Sequence, residues 1–407
     1  MAFFRNNAVN LLNLHYGIHS IALGGGGAFF AVYLLKSGVP VPMVFVSLAL
    51  ILLGRFLVRP LVICFAVRWG LRAMVIAGTL LAAVQYPFLA EVRGVGGALV
   101  GLCIVSAVGE AFYWSSYHAY FAALGDDEHR GQQIGMRQAI AELVRIASPL
   151  GTGWLLVEFG PRVAFGATSV VVMLAALPLL WAPDVRVARH VDGAFRSALP
   201  GMLLFAADGW IVSGYILVWE IALFLSLGES LLAYGGALAI AALVGALGGL
   251  VLGRQIDGGH GKTAVWYALG ILAVIIVLRA LATGDATVAV LANALGSLGA
   301  CLYIPTLMTA VYTQAKRSPC TLRFHVVTEG GWDAGGASGL LAAALLTALG
   351  VPLWASILLS LAGVAAIVVM LRRYYAVGPA VVVEVAEPLR TGQSPCHRRS
   401  LPQGVHR

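Results

Sequence analysis

The residues of this sequence that could do chemistry are ionisable side chains set inside long apolar stretches. Glu110 follows Val108-Gly109 and precedes a run of rings, with Tyr113, Trp114, Tyr117 and His118 close behind it. Glu142 and Arg145 stand three residues apart, hence on one face of a helix. Asp208 lies in a further apolar stretch, with Glu220 later in the same stretch. His325, Glu329 and Asp333 recur at intervals of four and form a stripe on one helix face, as do His15 and His19. A charge surrounded by hydrocarbon is costly, so each of these positions is a candidate site. A carboxylate in low dielectric binds a proton readily, which suits proton carriage. The histidine stripes suggest a divalent metal, yet neither supplies a complete ligand set, and no metal or other cofactor is expected. Phe112, Tyr113, Trp114, Tyr117, Tyr120 and Phe121, with Trp210, Trp219 and Trp332, either line a cavity or sit at membrane interfaces. In a cavity their faces would favour an organic or cationic solute.

The elements that hold these groups follow from composition. Hydrophobic residues make up 60% of the 407, charged residues only 11%, and the mean hydropathy is +0.90. Water-soluble domains carry about a quarter charged residues, so the solvent for this chain is lipid. Stretches long enough for a bilayer, about 20 residues each, fall at 9–35, 41–65, 71–90, 96–122, 133–159, 163–182, 199–227, 231–254, 264–283, 286–313, 323–349 and 352–374. The expected fold is an all-α membrane protein of about twelve transmembrane helices in two six-helix halves. Glycine, at 49 residues, suits close helix packing, as at Gly24–Gly27 and at Gly245, Gly248 and Gly249.

The net charge of +8 is spread singly between apolar stretches rather than along one polar face, which argues against nucleic acid as a partner. With the N-terminus inside, the inward segments hold Arg5, Arg55, Arg59, Arg68, Arg72, Arg130 and Arg137 in the first half. The outward segments hold only Lys36, Arg93, Arg162 and Arg279. That asymmetry places both termini in the cytoplasm, in an inner or plasma cell membrane. The domains expected are a half over 1–182, a cytoplasmic middle loop over 183–198, a half over 199–375, and a disordered cytoplasmic tail over 376–407. No cleavable signal peptide is expected after Arg5. Cys64, Cys103, Cys301, Cys320 and Cys396 show no CxxC pair or metal spacing and read as apolar thiols. No nucleotide-binding loop appears, which disfavours an ATP-driven pump.

Two motifs carry a family resemblance. Gly253-Arg254-Gln255-Ile256-Asp257, followed by Gly261-Lys262, resembles the G-x-x-x-D-(R/K)-x-G-(R/K) loop signature of the major facilitator superfamily, with one extra residue and Gly258 at its first basic position. The equivalent loop of the first half, Arg68-Trp69-Gly70-Leu71-Arg72, keeps the basic and glycine positions but has Val67 for the aspartate and Ile63 for the leading glycine. Arg130-Gly131, Gly135 and Ser148-Pro149-Leu150-Gly151-Thr152-Gly153 resemble the family's fifth span, whose Gly-Pro element is associated with antiporters; Pro149 and Gly153 match squarely.

The resemblance implies a monomeric secondary transporter using alternating access, with a small-molecule solute, protons and membrane lipids as partners. It packs spans 4 and 5 in one half, which makes a Glu110–Arg145 contact possible. It also sets spans 2 and 11 face to face across the halves. Glu329 and Asp333 could then serve proton transfer or a gate, pairing with Arg55 or Arg59. Arg68, Arg72, Arg130, Gly253, Arg254 and Asp257 are expected to act in conformational switching. Proton-coupled export of an organic solute is the leading expectation. A nutrient importer and a polytopic membrane enzyme using His118 or His325 are the alternatives, with a receptor or assembly role on the same fold also open.

Overall fold

The computed structural model describes residues 6–125, 130–256 and 261–376. Among them run twelve long helical segments: α1 (Asn7–Lys36), α2 (Val41–Trp69), α3 (Leu71–Ala90), α4 (Gly97–Leu124), α5 (Arg130–Glu158), α6 (Gly160–Trp181), α7 (Ala194–Ser226), α8 (Leu231–Ile256), α9 (Gly261–Leu281), α10 (Ala286–Arg317), α11 (Thr321–Ala348) and α12 (Leu353–Arg372). The expected spans coincide with them to within a few residues. The largest difference is at α7, which starts at Ala194 rather than 199 because the turns before Pro200 are helical.

Odd and even helices run in opposite directions, and contacts between their ends show it. At the end of the bundle near both termini, Asn6 Nδ2 donates to the Leu124 carbonyl at 3.0 Å. At the far end the Gly94 amide reaches the Ser37 carbonyl at 2.8 Å. Arg162 grips Glu91 there through Nε and Nη2 at 2.7 and 3.0 Å.

Helix rotation in lipid is set by the greasiest face. On α2 that face is Leu50, Leu57 and Leu61, all half or more exposed. Arg55 and Arg59 lie on the opposite side of the same helix and are therefore turned inward, where they are 6% and 1% exposed. α11 packs closely on α7 because it presents glycines at intervals of four. A Cβ at Gly331 or Gly335 would run into the carbonyl oxygen of Met202 or Ala206. This close approach holds α11 in place with its carboxylates facing α2.

Among the described residues the halves meet where α2 and α4 pack on α11, where α5 packs on α8, and at the far-end parts of α1 and α7. At the far end Tyr234 on α8 donates to the Ala28 carbonyl at 3.2 Å and packs edge-on against Phe29. Lys36 lies 3.8 Å from Glu229. Both α1 and α7 are interrupted at matching depth by π-helical turns, Leu23–Gly27 and Ser213–Val218.

The segment between α6 and α7 is bound to both halves. The Leu71 amide donates to the Val185 carbonyl at 2.9 Å, and the Arg72 amide to Asp184 Oδ1 at 3.3 Å. Tyr120 donates to the Pro183 carbonyl. From the second half, Arg323 Nη2 donates to the carbonyls of Ala188 and Arg189 at 3.1 and 2.8 Å. Asp184 thus places a carboxylate at the start of α3, where free amides and the helix dipole favour an anion. Val67, in the last turn of α2, stands where the superfamily's signature has its aspartate.

Candidate functional site

Helix periodicity puts Arg55 and Arg59 on one face of α2, and Glu329 and Asp333 on one face of α11. Packing α2 on α11 brings the two pairs together. Asp333 is fully buried, with Oδ2 2.5 Å from Arg59 Nε and Oδ1 3.1 Å from Arg55 Nε. Arg59 Nη1 also reaches Glu329 Oε2 at 2.6 Å and donates to Ser115 of α4. Arg55 Nη1 holds Glu110 Oε2 of α4 at 2.7 Å. Two guanidiniums therefore serve three carboxylates. Removing either arginine from such a buried set leaves uncompensated carboxylates, which typically costs about 3–5 kcal/mol.

The second half adds a fourth carboxylate. Asp208 of α7 accepts from Tyr303 of α10 at 2.6 Å and from Trp332 Nε1 of α11 at 3.0 Å. The Trp332 ring lies 5.4 Å from the Arg55 guanidinium carbon. Asp208, Trp332, Arg55 and Glu110 thus form one continuous path from the second half into the first.

A row of rings flanks the carboxylates. Trp114 stacks on His118 and His118 on His325, each with ring centres 5.7 Å apart. His118 Nε2 lies 3.9 Å from Glu329 Oε1. Glu110, Trp114 and His118 recur at intervals of four along α4, and all three keep partial exposure on the face turned to the other half.

The structure does not bring every expected residue here. Tyr113 is buried, but its hydroxyl is 3.1 Å from His15 Nε2 on α1. The other ring nitrogen of His15 is 2.7 Å from the Ala175 carbonyl of α6, so this histidine ties α1 to α4 and α6. Glu110 takes its cation from α2, whereas the sequence points to Arg145 on α5; the Arg145 stem passes beside Gly24 of α1. Arg68 and Arg72 lie at the terminal end, the Arg68 carbonyl accepting from Arg186 at 3.3 Å and Arg72 Nη1 donating to the Ala182 carbonyl at 3.1 Å. Asp257 lies outside the described residues, as do the side chains of Arg130, Glu142, Gly253 and Arg254.

Arg279 corrects the charge reading. Counted among the outward segments, it is 6% exposed inside α9, where Nη1 donates to the Tyr215 carbonyl and the guanidinium packs over the rings of Tyr215 and Trp219. The carbonyl it meets lies in the π-helical turn of α7. Ser115 and Tyr303 are the partners that sequence reasoning misses. Ser115 offers little signal, since Ser106 and Ser116 stand on the same helix. Among the described residues no three His, Cys, Asp or Glu side chains converge to hold a metal ion.

The sequence matches the Major Facilitator Superfamily over residues 14–319. No curated protein matches it closely enough to name a relative. The fold is similar to that of the POT family transporter PepTSo, with a TM-score of 0.65 at 14% identity, covering 91% of this chain and 98% of that one. It is similar to the fucose:proton symporter FucP of E. coli, at 0.61 and 15%, covering 90% and 98%. It is also similar to the human organic anion transporter TETRAN, at 0.64 and 16%, covering 89% and 99%.

Proposed function

The chain belongs to the Major Facilitator Superfamily, and we propose that it moves a small organic solute by proton-coupled alternating access, outward rather than inward. It is a multi-pass membrane protein and a secondary transporter.

One observation carries the proton part of this reading: Arg55 and Arg59 face Glu110, Glu329 and Asp333, so one carboxylate is in excess. Such a charge is relieved by a proton or by a cationic group of the solute. Because the carboxylates share two arginines, the proton belongs to the cluster as a whole. Glu110 is the member reached from the space between the halves. Its side chain is 29% exposed, against 8% for Glu329 and 0% for Asp333, and its ion pair is with Arg55. Proton and solute compete there, and that competition couples their movements.

Arg55 and Arg59 belong to the first half, Glu329 and Asp333 to the second. Their pairs are the contact that parts when the halves rock, which makes them the gate. Arg68, Arg72, Arg130, Gly253, Arg254 and Asp257 serve the switch at the terminal end. The positive-inside bias puts that end, both termini and the connecting segment in the cytoplasm. Export is favoured by Pro149 and Gly153 of the fifth-span motif, which lie against Gly235 and Leu231 of α8. The protein works as a monomer in a cell membrane.

Purified protein in liposomes with a trapped pH dye tests this reading. Addition of the transported member of an organic cation panel should release protons across the membrane against the solute's direction. Proton and solute moving together would instead favour symport, the activity for which the similar fucose:proton symporter FucP is named, and with it the importer reading. No solute movement with modification of a lipid would favour an enzyme.

A further inference from the structure

Glu329 uses its two oxygens unequally. Its Oε2 is taken by Arg59 and Ser115, while Oε1 is buried and accepts no hydrogen bond from the described residues. The His118 imidazole stands beside that oxygen, with Nε2 at 3.9 Å, one small side-chain rotation from a hydrogen bond of about 3 Å. His118 is itself 17% exposed and stacks on His325. Both histidines lie toward the terminal end: His118 is six residues before the close of α4 and His325 four residues into α11, roughly 9 and 6 Å of helix by the usual rise.

Building on the proton-coupled reading, we propose that His118, backed by His325, is the proton-transfer group that unloads the carboxylate cluster toward the terminal end through Glu329. In the transfer, the O–H bond at Glu329 Oε1 breaks and an N–H bond forms at His118 Nε2. The resulting imidazolium then passes its other ring proton on toward water at the terminal end, which restores a neutral ring as the other tautomer. Glu329 is left as a carboxylate and stays paired with Arg59.

The surroundings favour this route over its rivals. Among the described residues the charged and titratable groups around Glu329 and His118 are Arg59 from α2, Tyr117 from α4, and His325 and Asp333 from α11, with the Ser115 hydroxyl also on Glu329. On α1, His19 is separated from His118 by the Trp114 ring, and His15 is occupied by Tyr113 and Ala175. Of these, His118 alone combines a ring nitrogen near a carboxylate oxygen with partial exposure. An imidazole is also the side chain whose ordinary range lets it take and give a proton near neutral pH.

Reconstituted His118→Gln, His118→Ala and His325→Gln proteins test the assignment, each compared with wild type in proton-driven transport and in solute exchange at matched pH. For His118→Gln proton-driven transport should fall by about a hundredfold, the low end of what a positioned acid–base group supplies, while exchange persists. Its rate should also lose the pH dependence expected of wild type between about 5 and 8. Free imidazole should restore part of the His118→Ala rate, which a packing role would not allow. His325→Gln should shift the pH profile with a smaller loss. Proton-driven transport by His118→Gln at the wild-type rate would overturn the proposal, as would equal loss of both activities with no response to imidazole. A wild-type protein that moves solute without protons would instead remove the underlying coupling.

Discussion

Arg59 on α2 donates through Nε to Oδ2 of Asp333 on α11 across 2.5 Å, with 2% and 0% of the two side chains exposed. The bond joins the two halves at mid-depth, and Arg59 extends it to Glu329. A contact buried this deeply responds sharply to loss of one partner, because the other is left charged in low dielectric. Arg59→Gln should destabilise the detergent-solubilised protein by about 3–5 kcal/mol, and Asp333→Asn by less, because Arg55 keeps Glu110 and Arg59 keeps Glu329. The double variant should be less destabilised than the sum, with a coupling of roughly 0.5–3 kcal/mol measured by thermal unfolding. Additive losses would show that the pair does not act as a unit.

The close packing of α11 on α7 gives a second expectation. Gly335→Val places a branched side chain against the Ala206 carbonyl and should cost about 1–3 kcal/mol through overpacking. It should also lower the yield of folded protein in size-exclusion chromatography. Ser338→Ala, on the exposed face of the same helix, should behave as wild type. Equal yields for the two would contradict the packing described.

Asp184 provides a third. Its carboxylate meets the Arg72 amide at the start of α3 and lies 3.1 Å from Arg186. Asp184→Ala should lose about 1 kcal/mol, the usual value of a helix cap, and should increase protease cutting between residues 182 and 193. Gly70→Ala should be worse. Gly70 has φ +82°, and a Cβ there would collide with the Asp184 carboxylate. A Gly70→Ala protein as stable as wild type would rule out this loop geometry.

The helices are legible in the sequence because hydrophobic length is a one-dimensional quantity. α2 to α4 start within one residue of their expected positions. The stripe of His325, Glu329 and Asp333 is also legible, since it depends on spacing alone. Its partners need more. Arg55 and Arg145 both offer a cation to Glu110, and only the rotation of α2, set by Leu50, Leu57 and Leu61, decides for Arg55. Arg279 reads as a loop charge because it lies two residues from the end of α9. Its burial follows from the π-helical turn of α7, which offers the Tyr215 carbonyl, and spacing in the sequence does not announce such a turn. Asp184 reads as part of a charged loop, and its place at the head of α3 depends on how residues 182–193 fold back.

The claim at the centre of this account is that the carboxylate in excess around Arg55 and Arg59 carries the coupling proton, with Glu110 as its accessible member. Gradient-driven transport by Glu110→Gln in proteoliposomes tests it most directly, with folding checked by thermal unfolding. The variant should fold and still exchange solute at matched pH, with weaker binding of a cationic solute, yet fail to accumulate solute when a pH gradient is imposed. Accumulation at the wild-type level by the folded Glu110→Gln protein would contradict it.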